Sequence, residues 1–357
     1  MLAENGCGFV SPNPMVGAVV VKNNRIIGQG WHTKYGSPHA EREALANCSE
    51  DPRGADIYVT LEPCCHYGKQ PPCTLALIDA GIKRVFIGSA DPNPLVAGKG
   101  VQILRQHGIE VVENVLRDKC DRLNEIFFHY ITTKRPFAAF KYAMTADGKT
   151  AAYTGKSQWI TDIKAREHVH YLRKKYSAIM IGSGTAKADD PLLNCRIEGG
   201  RNPLRIVCDT GLTLSTQSKL VRTASDIPLL IATCCTDTEK HKQYIEKGCK
   251  IEVINKKDGC VDLYQLMTRL GEMNIDSVLI EGGGTLNWSA LNAGIVNKVY
   301  CYIAPKLLGG SSAKTPVEGM GFPSPGDAVM LKTQSIRTIG NDILIESEAA
   351  GNVYRNN

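Results

Sequence analysis

Two helix starts and one strand end must meet if the most chemically loaded stretch of this chain is to act as a unit. Ser37-Pro38 leads into His39-Ala40-Glu41, and Pro63-Cys64-Cys65 is followed by Pro71-Pro72-Cys73. One imidazole and two thiolates can hold a zinc ion and leave a fourth position for water, an arrangement that is catalytic more often than structural. The nine-residue step from Cys64 to Cys73 calls for a loop between ligands, and Tyr67-Gly68-Lys69 supplies one. H-x-E followed by P-C and a further cysteine is the mark of zinc-dependent amino-group hydrolysis on a nucleobase ring. In this reading His39, Cys64 and Cys73 are the ligands, and Glu41 moves protons. Cys65 is an alternative ligand, but Cys64 follows the proline as the motif requires and takes the role.

Pro38 falls near a first helical turn, where its missing N–H costs nothing. His39 therefore lies at a helix N-terminus, where the dipole favours the neutral ring. Cys73 opens a second helix, where the same field favours a thiolate. Residues 55–61 read as a strand that carries 62–64 to the end of a sheet, where α/β enzymes place ligands. Upstream, residues 1–8 form at most a turn or two, and 16–21 with 26–30 form a hairpin. Downstream come helices at 74–80 and 101–107 and strands at 84–90 and 109–112. That order predicts an α/β layer domain whose helices cover both sheet faces. The turn-rich run from Asp91 to Gly100 reads as a lid or substrate loop.

At 357 residues the chain exceeds what one core supports, so two domains are expected, 1–135 and 136–357. Lys plus Arg (42) exceed Asp plus Glu (36) by six, without a basic tract. A nucleic-acid partner gets no support from so mild a charge, whereas an anionic small molecule is compatible with it. No apolar run is long enough to span a membrane. Thirteen cysteines in a long, hydrophobic chain fit a reducing cytoplasm better than an oxidised scaffold.

An amphipathic helix is expected over 113–135, then a strand over 137–143, a helix over 162–175 and a strand over 178–182. Gly184-Thr185 and Asp189-Asp190-Pro191 read as a polar loop. Strands at 203–208, 227–232 and 251–254 precede a helix at 263–270 and a strand at 277–280. Glu281-Gly282-Gly283-Gly284 follows at once, with a helix from Asn287. Glycines in that position let backbone N–H groups approach an anion, although no full dinucleotide fingerprint is present. A strand over 299–305 and an extended C-terminal run close the sheet.

With these residues in hand, the chain resembles the bifunctional riboflavin-biosynthesis deaminase–reductases over nearly its whole length. The likeness lies in Ser11-Pro12-Asn13-Pro14-Met15-Val16-Gly17, His39-Ala40-Glu41, Pro63-Cys64 through Pro71-Pro72-Cys73, and Asp91-Pro92-Asn93-Pro94. In the second half it lies in Asp147-Gly148, Ser157-Gln158-Trp159-Ile160-Thr161, Ala188-Asp189-Asp190-Pro191-Leu192, Glu281-Gly282-Gly283 and Ala304-Pro305-Lys306. The long cysteine spacing favours this family over other nucleobase deaminases, which commonly use a two-residue gap. Cys65 departs from the serine that many relatives carry, and the opening helix is short.

The resemblance implies a cytidine-deaminase-like three-layer α/β/α domain followed by a dihydrofolate-reductase-like α/β domain. Its implied cofactors are zinc in the first and NADPH in the second, and its implied assembly is a homo-oligomer through the reductase half. The first domain would deaminate 2,5-diamino-6-ribosylamino-4(3H)-pyrimidinone 5′-phosphate, and the second would reduce the ribosyl group of the product to ribityl. Pyrimidine and phosphate contacts would fall on Asn13, His32, His66, Lys69 and Asn93. The nicotinamide cofactor would meet Ala143, Trp159, Thr185, Asp189, Thr210 and the segment Gly283, Gly284, Thr285, Leu286, Asn287, Trp288 and Ser289. The ribosyl phosphate would meet Ser157, Arg173, Leu193, Arg196 and Glu281, with Lys141 as a catalytic, proton-handling group beside the reacting ribose. The rival readings are a zinc deaminase with a non-catalytic second domain, a nucleic-acid-binding protein, and a zinc-stabilised scaffold with a closed fourth ligand.

Overall fold

The computed structural model describes residues 1–68 and 70–350. The chain divides into two compact units, Met1–Lys134 and Arg135–Asn357. The first opens with a short 3₁₀ turn, Ala3–Gly6, and then runs β1 (Gly17–Lys22), β2 (Arg25–Trp31), α1 (Ala40–Ala46), β3 (Asp56–Leu61) and α2 (Cys73–Asp79). It continues through β4 (Arg84–Ser89), α3 (Lys99–Gln106), β5 (Glu110–Val112), α4 (Arg117–Leu123) and α5 (Glu125–Thr133). The strands form one sheet in the order β2-β1-β3-β4-β5; the β1–β2 and β1–β3 pairs are antiparallel, and β3, β4 and β5 run parallel.

Glycines on β2 and β4 set how closely helices approach this sheet. A Cβ at Gly30 would lie 2.5 Å from the Ala44 nitrogen and 2.8 Å from the Ala40 oxygen. The bare backbone of β2 thus lets α1 lie directly on the strand. Ala18, Ile57, Val59, Val85 and Ile87 fill the rest of that face beneath Ala40, Ala44, Leu77, Val101 and Leu104 from α1, α2 and α3. On the opposite face a Cβ at Gly88 would lie 2.4 Å from the Cys120 sulfur of α4. Helices on both faces of one sheet make the three layers α/β/α.

The helix expected over 113–135 is two helices, broken at Asn124. That buried side chain accepts from the Met15 N–H at 2.8 Å and donates to the Met15 carbonyl at 3.0 Å. A side chain that satisfies backbone groups of another segment holds its own residue out of helical geometry, here at φ −108°.

The second unit runs β6 (Phe137–Thr145), α6 (Ile163–Lys175), β7 (Ala178–Gly182), α7 (Ser183–Asp189), β8 (Leu204–Cys208), α8 (Lys219–Arg222) and β9 (Leu229–Thr233). It continues with α9 (Thr238–Ile245), β10 (Lys250–Val253), the small pair β11 (Lys256–Lys257) and β12 (Cys260–Val261), and α10 (Leu263–Glu272). The last elements are β13 (Ser277–Ile280), α11 (Gly284–Asn292), β14 (Val296–Ala304), β15 (Leu331–Ile339) and β16 (Asp342–Ala349). Nine strands form one sheet in the order β10-β9-β8-β7-β13-β6-β14-β16-β15, parallel from β10 to β14 and antiparallel in the last two.

Buried residues alternate along the central strands. Ala138, Phe140, Met180, Ile206, Val278 and Ile280 pack against Leu266, Met267 and Leu270 of α10. Ile179, Ile181, Val207 and Ile231 pack on the other face against Leu220 and Val221 of α8. Two expectations change here. The polar loop placed after β7 is the helix α7, because Gly182 in extended geometry starts it and Asp190 in the left-handed region stops it. The extended C-terminal run is a hairpin, β15–β16, whose second strand pairs with β14.

Gly30→Ala should lower the stability of the first unit by about 1–3 kcal/mol, the usual cost of forcing a methyl into a packed contact. Denaturant midpoints of the native and substituted chains measure it.

Candidate active sites

In the first unit, α1, the end of β3 and the start of α2 bring His39, Cys64 and Cys73 together, with ligand atoms all within 4.8 Å of one another. His39 Nδ1 lies 3.4 Å from Cys64 Sγ and 3.3 Å from Cys73 Sγ. The Cys73 N–H donates to Cys64 Sγ at 3.3 Å. Glu41 is buried on α1 and hydrogen-bonds the Cys73 side chain; burial, then the charge of Cys64, pushes its carboxyl up to about 7. A Cys₂His set with a buried acid beside it fits zinc by donor type and number.

The two sulfurs face each other and shift in opposite directions. Contact with the Cys73 thiol, then with the His39 ring, draws Cys64 down to about 4, whereas Cys73, facing that sulfur, is raised. His39 is also raised, first by its contact with Cys64.

Asn13 and His32 stand next to this group. Asn13 Nδ2 donates to His32 Nε2 at 3.2 Å, His32 Nδ1 donates to the Pro38 carbonyl at 3.0 Å, and the His32 and His39 rings meet edge-on at 5.5 Å. Burial lowers the pKa of His32, so the neutral ring accepts from Asn13. The buried Nδ1 of His66 has no hydrogen-bond partner among the described residues. Asn93 turns its side chain to its own loop, accepting from the Leu95 N–H at 3.1 Å. Lys69 lies outside the described residues.

Two residues that motif reading passed over hold the frame. Buried Glu62 accepts from the N–H groups of Gly98 and Val101 at 3.0 and 3.3 Å, tying the Asp91–Gly100 loop to the end of β3. Arg42 donates to the Pro71 and Pro72 carbonyls just before Cys73. An acid and a base flanking the ligand motifs were the available signals.

In the second unit a cleft of about 1130 Å³ opens at the carboxyl ends of the parallel strands, where α/β sheets bind ligands. Lys141, Ala143, Ser157, Trp159, Arg173 and Thr185 line it, as do Asp189, Leu193, Arg196, Thr210 and Glu281. Of the glycine-rich segment, Gly283, Gly284, Thr285, Leu286, Asn287 and Ser289 line it as well. Trp288 does not; its position on α11 turns it onto Phe322, with ring centroids 4.9 Å apart. The helix begins at Gly284, inside the glycine run, and the Gly283 N–H donates to Thr185 Oγ1 at 2.9 Å. That amide is therefore engaged within the protein.

Arg173 Nε and Nη2 donate to both Glu281 oxygens at 2.8 and 3.0 Å, and Lys141 Nζ stands 3.9 Å from Glu281 Oε2. Burial opposes ionisation of Glu281, but Arg173 and then Lys141 hold its carboxyl at about 2. Burial lowers the pKa of Lys141, with Glu281 acting the other way. Arg196 is exposed at the rim, its Nε 3.4 Å from Asn194 Oδ1. Buried Asp209, unremarked in the sequence, accepts from the Thr213 and Leu214 N–H groups and shapes the turn that carries Thr210.

A zinc-type deamination centre in one unit and a ligand cleft with a buried lysine–carboxylate–arginine group in the other define a two-activity enzyme. The model of the cytidine and deoxycytidylate deaminase zinc-binding region matches residues 3–89, and that of the RibD C-terminal domain matches residues 136–345. The riboflavin biosynthesis protein RibD of Actinobacillus pleuropneumoniae is 53% identical over 345 residues, covering 97% of this chain and 92% of that one. The crystal structure of a diaminohydroxyphosphoribosylaminopyrimidine deaminase/5-amino-6-(5-phosphoribosylamino)uracil reductase from Thermotoga maritima matches with a TM-score of 0.88 and 39% identity, covering 98% of this chain and 96% of that one. RibD of Acinetobacter baumannii matches with a TM-score of 0.87 and 35% identity over the same shares. The chain belongs to the RibD family of bifunctional riboflavin-biosynthesis deaminase–reductases. A deaminase with a non-catalytic second domain is not favoured.

The purified chain should carry about one zinc per polypeptide, and Cys64→Ala or Cys73→Ala should lose it to a weak chelator that the native chain withstands. Metal analysis after dialysis checks this.

Proposed function

We propose that residues 1–135 hydrolyse the ring amino group of 2,5-diamino-6-ribosylamino-4(3H)-pyrimidinone 5′-phosphate, with zinc held by His39, Cys64 and Cys73. Residues 136–357 then reduce the ribosyl group of 5-amino-6-(5-phosphoribosylamino)uracil to ribityl with NADPH. The observation that carries this reading is the convergence of the three ligands on a buried Glu41 in a chain whose second unit matches the RibD reductase domain.

Zinc, when bound, supplies a water acidified toward neutral pH. Glu41 takes the proton of the attacking water and returns it to the departing nitrogen, one carboxylate serving as base and then acid. Asn13, its amide oriented by His32, presents donor and acceptor to the pyrimidine edge. His66 and Asn93 border the same substrate, and Lys69 is assigned to its phosphate.

In the reductase unit the nicotinamide supplies hydride, and the protein orients the partners. Ala143, Trp159, Thr185, Asp189, Thr210 and Gly283 to Ser289, Trp288 excepted, form the cofactor wall. Ser157, Leu193 and Arg196 face the ribosyl phosphate. Arg196, exposed and without a carboxylate partner in the described contacts, suits the phosphate through its donor fork. Arg173 is engaged with Glu281 and fixes that carboxylate beside Lys141, which handles the proton at the opening ribose.

No helix among the described residues is long and apolar enough to cross a membrane. No disulfide joins any cysteine among the described residues, which supports a cytoplasmic setting. Exposed Ile336 and Leu331 on β15 support assembly through the reductase unit.

Glu41→Gln should keep zinc yet lower ammonia release by at least about 10²-fold, read by coupled ammonia assay beside metal analysis. Arg196→Ala should raise the KM for the phosphorylated substrate more than that for NADPH. Arg173→Ala should lower kcat as well, because it leaves Glu281 buried with only Lys141 for a partner. Steady-state kinetics of NADPH oxidation separate these outcomes.

A further inference from the structure

The seat of the Lys141 ammonium is incomplete on the carboxylate side. Arg173 occupies both Glu281 oxygens, and the 3.9 Å from Lys141 Nζ to Oε2 is an ion pair without a good hydrogen bond. The same Nζ lies 5.7 Å from the centroid of the Tyr302 ring, within the range of a cation–π contact. Tyr302 is fully buried on β14, and the β6–β14 register puts it on the sheet face that Lys141 shares.

That ring is anchored at its hydroxyl end by α6, on the same face of the sheet. His168 Nδ1 is 2.6 Å from Tyr302 Oη, Arg337 Nη2 is 3.1 Å from His168 Nε2, and Arg337 pairs with Glu346 at 2.8 Å. A guanidinium only donates, so Nε2 accepts and the neutral imidazole carries its hydrogen on Nδ1. His168 therefore donates to Tyr302. Burial, then the charge of Arg337, lowers the pKa of His168 and keeps the ring neutral.

We propose that Tyr302 is a positioning residue of the reduction step: its ring seats the Lys141 ammonium at the wall of the cleft, and His168 holds the ring in place. The proposal rests on the reading of Lys141 as the proton-handling group. An aromatic face stabilises the charge without accepting its N–H groups, which stay available to an oxygen of the substrate. Three groups act on the lysine from the elements around it. Glu281, just past β13, favours the ammonium, Arg173 of α6 opposes it, and Tyr302 of β14 favours it.

The test is NADPH oxidation against pH for Tyr302→Leu, Tyr302→Phe, His168→Leu and Lys141→Met. Tyr302→Leu should lower kcat about tenfold with the NADPH KM unchanged. Its alkaline limb should also move to lower pH, since the lysine loses its proton sooner without the ring. Tyr302→Phe keeps the aromatic face but loses the bond to His168, so it should recover part of that loss and match His168→Leu. An unmoved alkaline limb in Tyr302→Leu, or Tyr302→Phe no better than Tyr302→Leu, overturns the proposal. Should Tyr302→Leu fail to fold by circular dichroism, His168→Leu carries the test; a limb moved to lower pH supports the seat and an unmoved one overturns it. Native-like reduction by Lys141→Met would instead sink the underlying reading of Lys141.

Discussion

The approach of α1 to β2 is the contact on which the deaminase unit rests. Helix backbone atoms at Ala40 and Ala44 lie where any side chain at Gly30 would have to go. His39 and Glu41 are fixed to that helix, so their positions relative to Cys64 and Cys73 follow from how deeply it sits. Close packing makes such a position discrete, because a well-packed interior does not yield continuously to added volume. Arg42 works on the same spacing from the other end by holding the Pro71 and Pro72 carbonyls ahead of Cys73.

The reductase unit depends on a different constraint, the placement of charge away from water. Glu281, Arg173 and Lys141 are all largely buried, and each is tolerable only because of the others. Two guanidinium nitrogens of Arg173 and two carboxylate oxygens of Glu281 close on each other, which leaves the lysine as the member with donors to offer. A group held in that condition suits a step in which charge develops and is quenched, and its field acts strongly where solvent is thin.

Much of this was readable because the signals are local. His39, Cys64 and Cys73 each follow a proline or stand one residue from one, and helix starts and strand ends can be inferred from such punctuation. Lys141, Arg173 and Glu281 came through family resemblance, and their mutual contacts needed the sheet register. Reading failed where a distant partner decides. Asn124 breaks an otherwise periodic helix because of Met15, and Trp288 leaves the cleft because Phe322 receives it. Gly184 and Asp190-Pro191 look like loop punctuation yet fall within α7 and just past its end. His168 and Tyr302 are 134 positions apart, and no motif connects them.

The joint at Asn124 has a consequence for what counts as the smallest working deaminase. The zinc-region model ends at residue 89, and a fragment cut there would retain all three ligands and the acid. It would lack the amide that grips both backbone groups of Met15, two positions from Asn13. The metal chemistry and the grip on the pyrimidine therefore have different boundaries along the chain. A catalytic core excised by motif would be a centre able to bind its ion while holding its substrate loosely.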